Sequence, residues 1–315
     1  MEKKQFSLSE ISRVSFCWAA AALVLRLLSV LLAGVITAPA AVLMRSGVVE
    51  LLFMLAPLFI MAKKYRVDAL APLRLGRLAE LWENPRALLI PVILAAVLGW
   101  CIYSPMDILQ SLWLGLLDTL HIGSSLTQVP ELTNGGLKLL AFLCLSFCPA
   151  LCEELCIRGH LFPALGKKLP AITALWVSTL YFALMHGSFA ALPYTFLMGW
   201  IMGWISLRTH SIYPGMAFHL FFNLRGINAS QAVQEAAKMS QDTAAYQSYA
   251  LMTNLTASIF ALIVTVAALF VLRVLTAEEK QEAAPAGEEK EGKWKQALIL
   301  AMALMAALTI LSAFL

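Results

Sequence analysis

Nine apolar runs follow one another along the chain, each long enough or nearly long enough to cross a bilayer, and they leave little else to fold. They cover residues 14–37, 47–62, 86–103, 137–161, 171–186, 190–207, 211–224, 251–275 and 295–315. Of the 315 residues, 60% are hydrophobic and 13% are charged. Soluble domains carry about a quarter charged residues. The polar surface is therefore too small to coat a soluble core of this size, and lipid is the expected solvent. Inside hydrocarbon the backbone must satisfy its own hydrogen bonds, which for runs of this length means helices. The expected fold is all-α, a polytopic membrane helical bundle of about nine transmembrane helices, eight at the fewest.

The loops supply an independent reading of orientation. Lys3, Lys4 and Arg13 precede the first run, and Lys63, Lys64, Arg66, Arg74, Arg77 and Arg86 crowd the loop after the second. Lys167 and Lys168 follow the fourth, Arg208 the sixth, and Arg273, Lys280, Lys290, Lys293 and Lys295 the eighth. The intervening loops are poor in Lys and Arg. Positively charged loops stay on the cytoplasmic side, so nine spans place the N-terminus inside and the C-terminus outside the cell membrane. The first run lacks a convincing small-residue cleavage site and reads as a retained anchor. A formal charge of only +4, spent on short loops, excludes nucleic acid as a partner.

The organisation expected from these signals is a set of N-terminal membrane helices over 1–136, a functional core over 137–226, and an external loop with the eighth span over 227–277. A charged cytoplasmic linker over 278–294 and a final span over 295–315 complete it. Residues 106–122 place Ile108, Leu109, Leu112, Trp113, Leu116 and Leu120 on one face, as a helix lying on the outer interface would.

Ionisable groups inside hydrocarbon are costly and therefore point to function. Here they gather in three places: Glu153-Glu154 with Arg158 on the fourth run, Phe182 with His186 on the fifth, and His219 with Asn223 on the seventh. Glu154 and Arg158 are four residues apart on a helix and share a face, so they can pair. Glu153 is turned about 100° away and is left facing elsewhere. His219 and Asn223 share a face as well. Three helices can thus present polar groups to one cavity.

The chemistry open to that cavity is hydrolysis. A glutamate in an apolar, partly dry site is a usable general base near neutrality, and His186 could position the same water. His219 and Asn223 could donate hydrogen bonds to the oxyanion formed at a scissile carbonyl. A lone polar residue in a span is as readily a structural hydrogen-bonding group. Six in ordered clusters read as a site. A non-catalytic peptide-binding or bacteriocin-immunity protein using the same cavity is the alternative. A transporter is disfavoured because no internal repeat is visible.

Glu-Glu-x-x-x-Arg, Phe-x-x-x-His and His-x-x-x-Asn, in this order on successive spans, resemble the three motifs of the CAAX-protease and bacteriocin-processing (CPBP, also called Abi) family. That family includes the type II CAAX prenyl endopeptidases. The resemblance covers about 137–226, and every motif position is filled, by Glu153, Glu154, Arg158, Phe182, His186, His219 and Asn223. It implies an intramembrane endopeptidase acting near the cytoplasmic side, with Glu153 and His186 activating water and His219 and Asn223 stabilising the oxyanion. Glu154, Arg158 and Phe182 would support them. The implied partners are membrane lipid and a peptide or protein tail, lipidated or not.

Glu153, His186 and His219 are also a carboxylate and two imidazoles, a ligand set seen in catalytic zinc sites. With zinc on Glu153 the only remaining base would be Glu154, which is paired with Arg158, so a metal-free site is preferred and zinc is the alternative. Cys144, Cys148, Cys152 and Cys156 recur every fourth residue, but small apolar cysteines are common in buried helices and packing is the expected role. One spatial problem follows from the predicted ends: Glu153 and His186 differ in depth by roughly 10 Å unless helices tilt or the fifth starts sunk after Pro170.

Overall fold

A computed structural model of the chain describes residues 5–31, 37–73, 89–123, 129–239, 243–275 and 293–311. Nine long helices are present among them: α1 (Leu8–Leu31), α2 (Pro39–Tyr65), α3 (Leu89–Thr119), α4 (Gly135–Gly166), α5 (Ala171–Met185), α6 (Leu192–Thr209), α7 (Tyr213–Met239), α8 (Thr243–Leu275) and α9 (Lys293–Leu311). No strand occurs among the described residues. The molecule is a helical membrane bundle. Four helices are long and apolar enough to cross a bilayer by length and composition: α2, α3, α4 and α9. The charged linker expected at 278–294 lies almost wholly outside the described residues, as do 74–88 of the basic loop.

Local signals explain several boundaries. α1 starts at a reciprocal cap, in which the Ser7 amide donates to Glu10 Oε2 (2.9 Å) and the Glu10 amide donates to Ser7 Oγ (3.3 Å). α4 starts at Asn134, whose Oδ1 accepts from the Leu137 amide at 3.0 Å. Within the helices, π-helical turns occur at Glu50–Leu55, Leu143–Phe147 and Ile157–Leu161. Each lies just ahead of a proline, namely Pro57, Pro149 and Pro163. Proline removes one amide and crowds the carbonyl four residues earlier, and a π turn absorbs the displaced hydrogen bonds without ending the helix.

Two expectations need correction. Residues 106–122 do not form a separate interfacial helix; α3 runs unbroken through Pro105 to Thr119. The stretch directly after 226, expected as a loop, is helical, since α7 continues to Met239. Its polar outer half is held by the chain entering α4. Gln231 Oε1 accepts from the Leu132 amide (2.8 Å), Gln231 Nε2 donates to Pro130 O (3.1 Å), and Gln234 Nε2 donates to Val129 O (2.8 Å).

Packing places α4 at the centre. α2 lies against it through the Glu50–Leu55 turn, α7 packs on it and pairs extensively with α3, and α5 pairs with α6. Buried Trp18, Tyr181, Phe182 and Phe218 fill the interior. Trp18 Nε1 donates to Met54 O (2.9 Å) and the Tyr181 hydroxyl to Ser15 O (2.7 Å), which ties α1 to α2 and α5. Close helix approach depends on missing side chains: a Cβ at Gly99 would lie 2.2 Å from Phe218 O, and one at Gly203 2.4 Å from Leu175 Cδ1. The Gly199–Gly203 spacing on α6 thus serves packing, as its pattern implies.

Candidate active site

The site begins with a buried ion pair. Arg158 Nη1 donates to Glu154 Oε1 at 2.8 Å, across one turn of α4. Both groups are withdrawn from solvent, Glu154 at 0% and Arg158 at 3% exposure. The guanidinium also donates through Nη2 to Gly199 O at 2.8 Å, on α6. Its flat face lies 4.3 Å from the Phe182 ring centroid on α5. One cation therefore joins three helices.

His219 of α7 faces this pair. Its Nδ1 is 3.4 Å from Glu154 Oε1, outside hydrogen-bond geometry, and its Nε2 is 4.0 Å from Glu153 Oε2. Glu153 and His219 are each 5% exposed. Glu153 Oε2 has no hydrogen-bond partner among the described residues. Glu154 is paired with Arg158 through Oε1, and its Oε2, like Glu153 Oε2, is buried without a hydrogen-bond partner among the described residues. Asn223 is half-buried one turn beyond His219.

Phe182 is the common neighbour. Besides Arg158, its ring meets His186 (5.0 Å between centroids) and His219 (6.2 Å), both edge-on. A Cβ at Gly199 would come within 2.8 Å of it. His186 caps the C-terminus of α5, with Nδ1 2.9 Å from Phe182 O, and is exposed. It makes no ion pair with either carboxylate among the described residues. The structure therefore groups Glu153, Glu154, Arg158, Phe182 and His219 tightly, with Asn223 and His186 at the margin.

Along their own helices, Glu153 and His186 lie at similar distances from the turn that joins α4 to α5. α4 continues to Gly166, so Glu153 lies about 20 Å from the Lys167–Lys168 turn, and His186 lies about 22 Å from the start of α5, at 1.5 Å per residue. The expected depth mismatch came from ending α4 at residue 161.

Several neighbours carry no motif signal. Glu50 lies in the π turn of α2 that packs against α4, and its Oε2 is buried without a hydrogen-bond partner among the described residues. Its visible signal is a carboxylate inside a predicted span. Tyr194 of α6 stacks with Phe222 of α7 at 6.5 Å, and Phe222 meets the Tyr103 ring of α3 at 5.3 Å. Nothing in the sequence marks Tyr194. The four regularly spaced cysteines are free and mostly buried, and Cys156 Sγ donates to Met54 O at 3.5 Å. His160 holds Ala69 O at 2.8 Å and packs edge-on with Phe6, a structural role.

Among the described residues no group of three His, Cys, Asp or Glu side chains is arranged to hold a metal ion. Exposed His186 stands apart from the Glu153–His219 pair, so the three residues do not fit a zinc centre as placed.

Bundle and site together define an all-helical membrane protein with a buried glutamate–histidine centre. Residues 135–225 match the family model described as type II CAAX prenyl endopeptidase Rce1-like. The matched segment runs from the start of α4 through His219 and Asn223 of α7. The family is one of CAAX-protease-like intramembrane endopeptidases, which makes endopeptidase activity the general function of the domain. Comparison with curated proteins and with solved structures gives no match.

Proposed function

We propose that the chain hydrolyses a peptide bond inside the helical bundle, with Glu153 as general base and His219 and Asn223 as oxyanion donors. The observation that carries this reading is the 4.0 Å separation of Glu153 Oε2 and His219 Nε2 within a segment matching a protease family. In this reading the attacking water is held by Glu153 and the scissile carbonyl is placed beside His219. Glu153 takes the proton of that water as it attacks. His219 and Asn223, one turn apart on α7, donate to the oxygen that becomes negative.

Glu154 and Arg158 hold this geometry. Their pairing keeps Glu154 from competing as a base, and the Arg158–Gly199 bond fixes α6 against α4. His186 stands at the mouth, where it can orient water without touching Glu153. No step is routed through a metal.

The substrate is a peptide or protein tail presented in the membrane. If the Lys167–Lys168 turn is cytoplasmic, a tail entering from that side must span about 20 Å to Glu153, or about six extended residues. Cleavage then occurs deep in the bundle, with access from the cytoplasmic side. The test is mass spectrometry of membrane peptides from cells carrying wild type or Glu153→Ala. Fragments that disappear in the variant, with their precursors accumulating, are the expected result. Identical peptide sets would overturn the enzyme reading in favour of a binding role.

A further inference from the structure

The second half of α3, beyond Pro105, reaches the loop that follows His186. Gln110 Nε2 donates to Ala190 O at 2.7 Å, and Trp113 Nε1 donates to Phe189 O at 3.1 Å. The Trp113 and Phe189 rings also meet, with 5.5 Å between centroids. Two donors one turn apart on one helix thus hold two consecutive carbonyls of the segment joining α5 to α6. Gln110 is 8% exposed, and neither residue belongs to a motif or to the matched segment 135–225. A polar amide withdrawn from water is costly unless it is hydrogen-bonded, so breaking this contact carries a penalty.

That segment carries His186 at its start. The histidine caps α5, and Gly187 turns the chain at a φ of +58° with nothing within 4 Å of where a Cβ would be. The Ala191 amide then donates to Ser188 Oγ at 3.2 Å before α6 begins. The His186 ring bonds within its own helix, at Phe182 O, and is exposed. Where the imidazole stands therefore follows from where the turn is held, and the turn is held from α3. The same face of α3 fixes the second histidine. Gly99 lies against Phe218, the residue before His219, and Gly99, Gln110 and Trp113 fall within about 60° of one another around the helix. From Gly99 to Gln110 is about 17 Å along α3. One helix thus spaces the His186 turn from the His219 backbone.

We propose that Gln110 and Trp113 are positioning residues for His186. By holding the Phe189 and Ala190 carbonyls they fix the turn between α5 and α6, and so set where the imidazole stands relative to Glu153 and His219. The proposal rests on the endopeptidase reading, in which His186 orients the attacking water, and extends the working site to a helix outside the matched segment. A staple between α3 and the loop would contribute to stability alone. A positioning role requires more: loosening the turn lowers kcat through His186, leaves KM nearly unchanged, and costs nothing further once His186 is gone.

The experiment uses the full chain in lipid nanodiscs, with peptide cleavage and backbone amide hydrogen exchange both read by mass spectrometry. Gln110→Met removes the amide at similar length, and Trp113→Phe removes the indole donor while keeping a ring against Phe189. Each is expected to lower kcat about two- to tenfold, the rate equivalent of one neutral hydrogen bond, and to speed exchange at 187–191. In a His186→Ala background the same substitutions should leave kcat where His186→Ala alone puts it. Leu112→Ala, at a 68% exposed position on the same turn of α3, should change neither kcat nor exchange. If Gln110→Met melts early, Trp113→Phe carries the test. Three results overturn the proposal: unchanged exchange at 187–191 in a folded variant, wild-type kcat in a variant whose turn exchanges faster, or effects that multiply in the His186→Ala background. A wild type that cleaves no peptide overturns the endopeptidase reading instead; faster exchange confined to 187–191 in the variants then still supports the anchoring of the His186 turn by α3.

Discussion

Phe182 touches Arg158, His186 and His219, which explains why an apolar residue stands among the polar motif positions. The neighbouring Glu154–Arg158 pair makes a sharp prediction at this scale. Replacing Glu154 with Gln leaves a buried guanidinium that has lost its paired negative charge, though an amide oxygen and Gly199 O can still accept from it. Breaking one side of a buried pair costs about 3–5 kcal/mol. Glu154→Gln should therefore melt well below the wild type in a detergent thermal-shift assay, whereas Glu153→Gln, which removes no ion pair with Arg158, should melt close to it. Equal melting of the two variants would contradict the division of labour between the glutamates. Metal belongs to the same scale. Purified protein should contain substoichiometric zinc and keep its activity after prolonged chelation. Stoichiometric zinc by elemental analysis, with activity lost on chelation and restored by zinc, would contradict the metal-free assignment.

Among the elements, the α3–α7 pairing carries His219. Its closest approach is Gly99 against Phe218 O, one residue before that histidine. Gly99→Ala must separate the two backbones, at a cost of about 1–3 kcal/mol. It should lower kcat as well as stability, while Gly115→Ala, where a Cβ meets nothing within 4 Å, should change neither. Activity of Gly99→Ala equal to wild type at a temperature where both are folded would show that the pairing does not position the site. The same two helices show where sequence reasoning stops. Hydropathy finds both, because lipid-facing runs are long and continuous. It ends α3 at Tyr103, since Ser104, Pro105 and Asp107 look like a boundary, and it ends α7 at Leu224. Yet a helix in a bundle passes through proline when its neighbours tolerate the freed backbone groups. Arg225 lies near the Trp100 and Tyr103 rings, and Gln231 and Gln234 meet the 129–132 backbone. Those partners are distant in sequence, so no local pattern reveals them. The Glu154–Arg158 contact, by contrast, is local and was readable from helical spacing alone.

For the whole molecule, the alternation of basic loops predicts that Lys63–Arg66 and Lys167–Lys168 are cytoplasmic and the C-terminus external. Single cysteines introduced into a background without native cysteines test it. An impermeant thiol reagent applied to intact cells should leave the 167–168 turn unlabelled and label the C-terminus; the opposite pattern would reverse the membrane orientation and the side from which substrate enters. The central claim, that this bundle is a protease whose base is Glu153, is independent of orientation. It is tested most directly by the cleavage rate of a peptide library by wild type and Glu153→Gln in the same lipid nanodiscs. General-base catalysis contributes about 10²–10⁴-fold, so the rate should fall by at least a hundredfold while the melting temperature stays near that of the wild type. A folded Glu153→Gln protein that retains cleavage within tenfold of the wild type would contradict the account.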